Sequence, residues 1–216
     1  MKKMSLILAV LFCGAWLVSA QADNKGNAPE LKPLNDWTIF QIGFFPGVPC
    51  GTGNSNVYGF KLGAPMVDGY GRVSGLEASI LYSGTDYIKG VQATGAGPSI
   101  AKVVEGIQAS WTGPTIANKV SGLQASCTVN VVEDIIGFEP GLVNIAKNVR
   151  GFQASAVNIA EKVVGFQMSA VNMTKELTSL QLGAFNYSKK NGIQLGAINI
   201  IEDGWIPFTL FFNIKY

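Results

Sequence analysis

The chain has 216 residues, 48% of them hydrophobic and only 14% charged, against about 25% charged in an ordinary soluble domain. It contains no histidine, which excludes Ser-His-Asp, Cys-His and His-metal chemistry. The formal net charge of +2 offers nothing to attract nucleic acid. No cofactor and no metal ligand set is expected, and the core is large enough to need no staple.

The N-terminus reads as an address. Lys2 and Lys3 precede an apolar stretch from Leu6 to Val18, and Ser19-Ala20-Gln21-Ala22 offers small residues for cleavage. Residues 1–22 are therefore expected to be a secretory signal peptide, too short in its apolar part for a membrane helix. Phe12 stands before Cys13 where a lipobox needs a small residue, so lipidation is not expected. Without the two leading lysines, cations and anions both number 14. Residues 23–36 are polar and hold Pro29 and Pro33, as a linker does. Cys50 and Cys127 remain beyond the leader; in an oxidising compartment they either bridge or stay as inert thiols.

Residues 37–216 form one repetitive domain. Gly151-Phe152-Gln153-Ala154-Ser155-Ala156-Val157-Asn158 is followed by close copies at Gly165, Ser179 and Gly192. Weaker copies begin at Gly59, Gly75, Gly90, Gly106, Gly122 and Gly137, so successive starts lie 13 to 16 residues apart. Each copy alternates in the manner of a strand, and recurrent glycine disfavours helix. The charged residues fall almost wholly between copies, for example Glu133-Asp134, Glu161-Lys162 and Lys189-Lys190.

Two all-β architectures fit. One is an antiparallel meander of about 12 strands closed as a β-barrel; the other is a β-solenoid in which each copy is one coil. Strands of a constant 11 residues with loops of two to five would keep every Gln on one face of a meander. Asn191-Gly192 also matches a favoured two-residue hairpin turn. These features favour the barrel. The C-terminal segment points the same way. Phe208, Leu210, Phe212, Ile214 and Tyr216 alternate on one face and end on an aromatic, as an assembly signal for an outer-membrane barrel would; a solenoid capping strand is the other reading.

Gln92, Gln108, Gln124, Gln153, Gln167, Gln181 and Gln194 recur at one slot. They either line a polar lumen or binding stripe, or hydrogen-bond to one another across strands, and the second is favoured. Asn130, Asn144, Asn158, Asn172, Asn186 and Asn199 are expected to close turns through bonds to backbone. Glu77 and Glu139 occupy Gln slots, yet no basic or nucleophilic residue accompanies them, so catalysis is not expected. Trp37, Trp111 and Trp205 suit a membrane interface or a core equally. Pro98 and Pro114 must interrupt or bulge their strands, because proline has no N–H to donate.

The repeats resemble those of bacterial surface-repeat proteins of the leptospiral type, which carry tandem G-Φ-Q-Φ-G-Φ-Φ-N-Φ-A units. The match runs from Val57-Tyr58-Gly59-Phe60 to the C-terminus, with Asn144-Ile145-Ala146 and Asn158-Ile159-Ala160 well matched. The resemblance implies a protein exported to the outer membrane or cell surface and brings no catalytic residues. The expected role is structural, adhesive or pore-like; the alternative is a soluble exported solenoid that binds a polymer or protein partner.

Overall fold

The computed structural model describes residues 36–45, 48 and 53–216. The expected signal peptide, nearly all of the linker, and Cys50 lie outside the described residues; Cys127 is an exposed free thiol. The strands in chain order are β1 (Trp37–Gly43), β2 (Asn56–Gly63), β3 (Met66–Ser79), β4 (Tyr82–Thr94), β5 (Ser99–Ser110), β6 (Thr115–Ser126) and β7 (Val129–Pro140). They continue with β8 (Val143–Ala154), β9 (Val157–Met168), β10 (Val171–Leu177), β11 (Leu180–Leu182), β12 (Phe185–Lys190), β13 (Gly192–Ile201) and β14 (Phe208–Lys215).

From β1 to β13 every named strand pairing is parallel: β1 to β10 stack in chain order, and beyond them β12 follows β10, β11 follows β9, and β13 pairs with both. Like residues face like: Gly151 pairs with Gly165, Gln153 with Gln167, and Asn158 with Asn172. This overturns the antiparallel barrel. The chain is a β-solenoid in which each copy is one coil resting on the one before.

The reason lies inside the coil. Along β8 the buried residues are Asn144, Ala146, Val149 and Gln153. Alternation therefore fails between Ala146 and Val149, where Lys147 and Asn148 both turn outward. The strand bends there, so an unbroken 11-residue alternation does not exist and the loop-parity reading loses its basis. The second corner lies beyond Gln153, at Ser155-Ala156. Variable coil length is absorbed mainly at that corner: Gly95 to Pro98 and Trp111 to Pro114 fill it in long coils, and two residues suffice in short ones. Pro98 and Pro114 sit immediately before β5 and β6, where a missing N–H interrupts no strand.

Each coil turns at its consensus glycine. Gly59, Gly75, Gly90, Gly106, Gly122, Gly137, Gly151 and Gly165 all have φ between 134° and 148°, a region that residues with a Cβ avoid. A Cβ on Gly151 would also overlap the carbonyl oxygen of Gly137 one coil below. Where the consensus has Ser179 instead, the strand breaks, between β10 and β11. Asn191 and Gly192 have φ of 51° and 113°. The left-handed freedom that suits a hairpin here serves the bend of a short parallel coil.

The core splits into two strips. Under the Lys147-Asn148 corner run two aliphatic columns, Val104, Val120, Ile135, Val149 and Val163 in one, Ala101, Ala117, Val132, Ala146 and Ala160 in the other. The Val/Ile column is of the β-branched kind that strands favour, and the column beside it is mostly the smaller alanine. Under the opposite corner lie the Gln and Asn columns. β14 pairs antiparallel with β13 and closes the C-terminal end of the stack, with Asn213 opposite Gln194. Phe208, Leu210, Phe212, Ile214 and Tyr216 are all exposed, so the terminal alternation belongs to a capping strand and not to a barrel seam.

Candidate functional site

The seven predicted glutamines do come together, but inside the protein. Gln92, Gln108, Gln124, Gln153, Gln167, Gln181 and Gln194 are each 0% exposed. They form no surface stripe and line no open lumen. Gln108 donates through Nε2 to Gln92 Oε1 at 3.0 Å, Gln124 to Gln108 at 3.1 Å, Gln167 to Gln153 at 2.8 Å and Gln181 to Gln167 at 2.8 Å. Every amide in this column thus donates toward the N-terminal end.

The asparagines form a second column and run the other way. Asn130 Nδ2 donates to Asn144 Oδ1 at 2.8 Å, Asn144 to Asn158 at 3.1 Å, Asn158 to Asn172 at 3.0 Å and Asn172 to Asn186 at 2.9 Å. Each also reaches across the coil to backbone: Asn144 Nδ2 to Glu139 O at 2.5 Å and Asn172 Nδ2 to Leu182 O at 2.9 Å. They therefore bond to backbone as expected, but from the interior and not from surface turns. Asn158 also accepts from Ser155 Oγ at 2.7 Å. Truncating it to alanine leaves several buried groups short of a partner. Asn158→Ala is expected to lower the unfolding free energy by about 2 kcal/mol in urea denaturation, with no change in the spectrum of the native state.

Two carboxylates interrupt the glutamine column. Glu77 lies at the N-terminal end, where Lys61 occupies the preceding rung. Both are buried, with Lys61 Nζ 3.7 Å from Glu77 Oε2. Lys61 also donates to Thr85 Oγ1 at 2.8 Å and Asp68 O at 2.7 Å, and Thr85 in turn donates to Glu77. Gln92 Nε2 completes the set at 2.7 Å from Glu77 Oε1. Burial pushes the Lys61 ammonium down, against the pull of Glu77, and pushes the Glu77 carboxyl up, against the pull of Lys61. Sequence reasoning missed Lys61. Its signal was available, because Gly59-Phe60-Lys61 puts a lysine two residues after the consensus glycine, in the Gln slot.

Glu139 has no such cation. It is 0% exposed, and burial raises its carboxyl to about 8, with the Gln153 amide pulling the other way. Gln153 Nε2 donates to Glu139 Oε2 at 2.7 Å. The neighbouring rung below is Gln124, and two oxygens lack a donor there: Glu139 Oε1 and Gln124 Oε1. A proton on Glu139 Oε1 supplies the donor that the column lacks at this rung. Glu77 and Glu139 stand four rungs apart, about 19 Å at the usual strand spacing. That is too far to share one bond between an acid and a base. Among the described residues no group of three His, Cys, Asp or Glu side chains is placed to hold a metal.

The outer surface carries its own columns. Along the Lys147-Asn148 corner, cations pair with carboxylates one coil away: Lys102 with Asp86 at 2.7 Å, Lys147 with Glu133 at 2.5 Å, Lys175 with Glu161 at 2.7 Å and Lys190 with Glu176 at 3.1 Å. Beside this row an open groove runs over four coils. Lys119, Arg150, Lys162, Asp134, Ile136 and Val164 line it. Asn148 Nδ2 donates to Asp134 Oδ1 at 2.7 Å. Lys162 approaches Glu176 only to 3.9 Å, and no ion pair holds Lys119 or Arg150 among the described residues. The sequence shows these cations as scattered link residues; only the coil period, folded, sets them along one groove.

Trp37, Trp111 and Trp205 are all exposed, so none belongs to the core. Comparison of the chain with family models, with curated proteins and with solved structures gives no match.

Proposed function

We propose that this is a non-enzymatic, exported β-solenoid that binds an extended anionic partner along its outer surface. The groove over four coils carries the reading: Lys119, Arg150 and Lys162 line it against a single carboxylate, Asp134, with Ile136 and Val164 beside them. Coils about 4.8 Å apart present such groups at a regular rise along one axis, which suits a linear polymer better than a compact small molecule. Lys119 and Arg150, which no ion pair holds among the described residues, bind carboxylate or sulfate without first breaking a bond, and Lys162 gives up only a 3.9 Å approach to Glu176. The buried amide columns make the rod stiff, and stiffness spares the ordering cost of binding. The leader-like N-terminus and the repeat resemblance support the exported setting. Two carboxylates sealed inside, four rungs apart, speak against chemistry.

The expected result is measurable binding of polygalacturonate, an anionic polysaccharide, by calorimetry. The double variant Arg150→Ala with Lys162→Ala should weaken it about tenfold, and added salt should weaken the parent strongly. Both variants lie on the surface, so folding is retained. Binding that the double variant leaves intact, or no binding at all, would overturn the reading.

A further inference from the structure

The solenoid has one edge without charge. Eight arcs lie at the corner opposite the ion-pair row, from Ile80-Leu81 through residues 95–98, 111–114, 127–128, 141–142, 155–156 and 169–170 to Gly183-Ala184, and none contains Asp, Glu, Lys or Arg. Ile80, Leu81, Trp111 and Leu142 project from it, exposed. A shallow groove opens between Trp111 and Leu142, floored by Ala109, Ala125, Cys127 and Pro140. Phe44 and Phe45 stand at the same edge of the first coil, and Phe211 opposite Gly196 at the last.

Much of the backbone of this edge is paired from coil to coil. Trp111 N donates to Thr94 O at 3.0 Å, Ala96 N to Ile80 O at 2.6 Å, Ser155 N to Met168 O at 3.1 Å and Ala156 N to Leu142 O at 3.0 Å. Ser110 Oγ and Ser126 Oγ donate to the carbonyls of Gly97 and Gly113 at 2.7 and 2.8 Å. This coil-to-coil bonding lowers the cost of bringing the edge against lipid, where an unpaired backbone group is expensive.

The edge is a poor fit for a protein. Eight arcs at about 4.8 Å make a strip about 40 Å long, and at about 10 Å wide it covers about 400 Å², half of the roughly 800 Å² per partner in a stable complex. Its projections come at uneven intervals, so a second copy of the strip would not mesh with it. A fluid surface takes uneven projections without penalty, and Trp and Phe settle where hydrocarbon meets headgroup. We infer that the uncharged edge rests on a lipid surface, with the ion-pair row and the cationic groove turned to water. With no cation on the edge, the lipid charge has little to act on.

The test uses the full chain in two single-tryptophan forms, one keeping Trp111 and one keeping Trp205, the others replaced by Phe. Each is mixed with phosphatidylcholine vesicles whose acyl chains carry bromine, a contact quencher. Trp111 emission should shift to the blue and fall about twofold, while Trp205, 95% exposed away from the edge, should stay unchanged. Trp111→Glu and Leu142→Glu should each reduce vesicle flotation, and high salt should not. Quenching of Trp205 to the same degree as Trp111 means contact through another part of the chain and overturns the inference. So does an unquenched Trp111. So does a dimer in sedimentation that Trp111→Glu dissociates, since a second copy then covers the edge.

Discussion

Glu139→Gln should raise the unfolding free energy by about 3 kcal/mol at pH 7, an unusual gain for a single buried substitution. The carboxyl titrates at about 8 in the fold and near 4.5 without it. The folded state therefore binds the extra proton between these values, and stability falls as pH rises through that window. Below pH 4.5 both states are protonated and the substitution gains little from this source. Above pH 8 the full difference is reached, about 5 kcal/mol as an upper bound. Glutamine also carries the N–H₂ that its rung needs: one hydrogen for Gln124 Oε1, and an oxygen to accept from Gln153. Urea midpoints of the parent and variant from pH 4 to pH 9 check this. Parallel curves across that range would show that Glu139 holds no displaced proton.

Gly151→Ala should cost about 3–5 kcal/mol, combining backbone strain with overpacking. Its φ of 137° lies outside the range open to alanine, and the added Cβ would overlap the Gly137 carbonyl oxygen. Relief would require the stack to separate at that rung and break in-register bonds on both sides. The effect should appear in thermal melts, and Ser155→Ala serves as a comparison one corner away. Ser179 already stands where the consensus has glycine, and the chain there gives up its strand. A variant Ser179→Gly is thus expected to be tolerated.

Much of the fold was legible. The alternation marked strands, the period marked copies, and the amides were expected to bond across strands, as Gln153 and Gln167 do. Direction was not legible. A one-residue alternation has the same faces whether the next copy runs parallel or antiparallel. The distinction turned on Lys147-Asn148, two successive outward residues that look like the middle of a strand and are a corner. The last strand misled for a related reason. Alternating apolar residues ending at Tyr216 describe one exposed face, and exposure to lipid or to water is not written in the alternation. The Lys61–Glu77 pair was missed because a lone lysine in an amide slot looks like a decayed copy, although burial beside Glu77 gives it a partner.

The two amide columns donate in opposite directions along one axis. From Gln153 to Gln194 each rung hands on the same pair of bonds that it receives, so within that stretch one coil is interchangeable with the next. A whole coil added or removed within that stretch leaves every junction with the same chemistry, whereas Glu139 in the Gln slot and Thr115 in the Asn slot mark the coils before it as distinct. A gene carrying such repeats is free to lengthen or shorten its product by complete units without inventing a new interface. The two ends escape this freedom. At one, Lys61 and Glu77 replace amides with an ion pair; at the other, β14 turns back and its Asn213 closes the column. Evolution of length is thereby confined to the C-terminal run of amide coils, between the coils that carry ionisable residues in the Gln slot and a last strand that has no equivalent elsewhere in the fold.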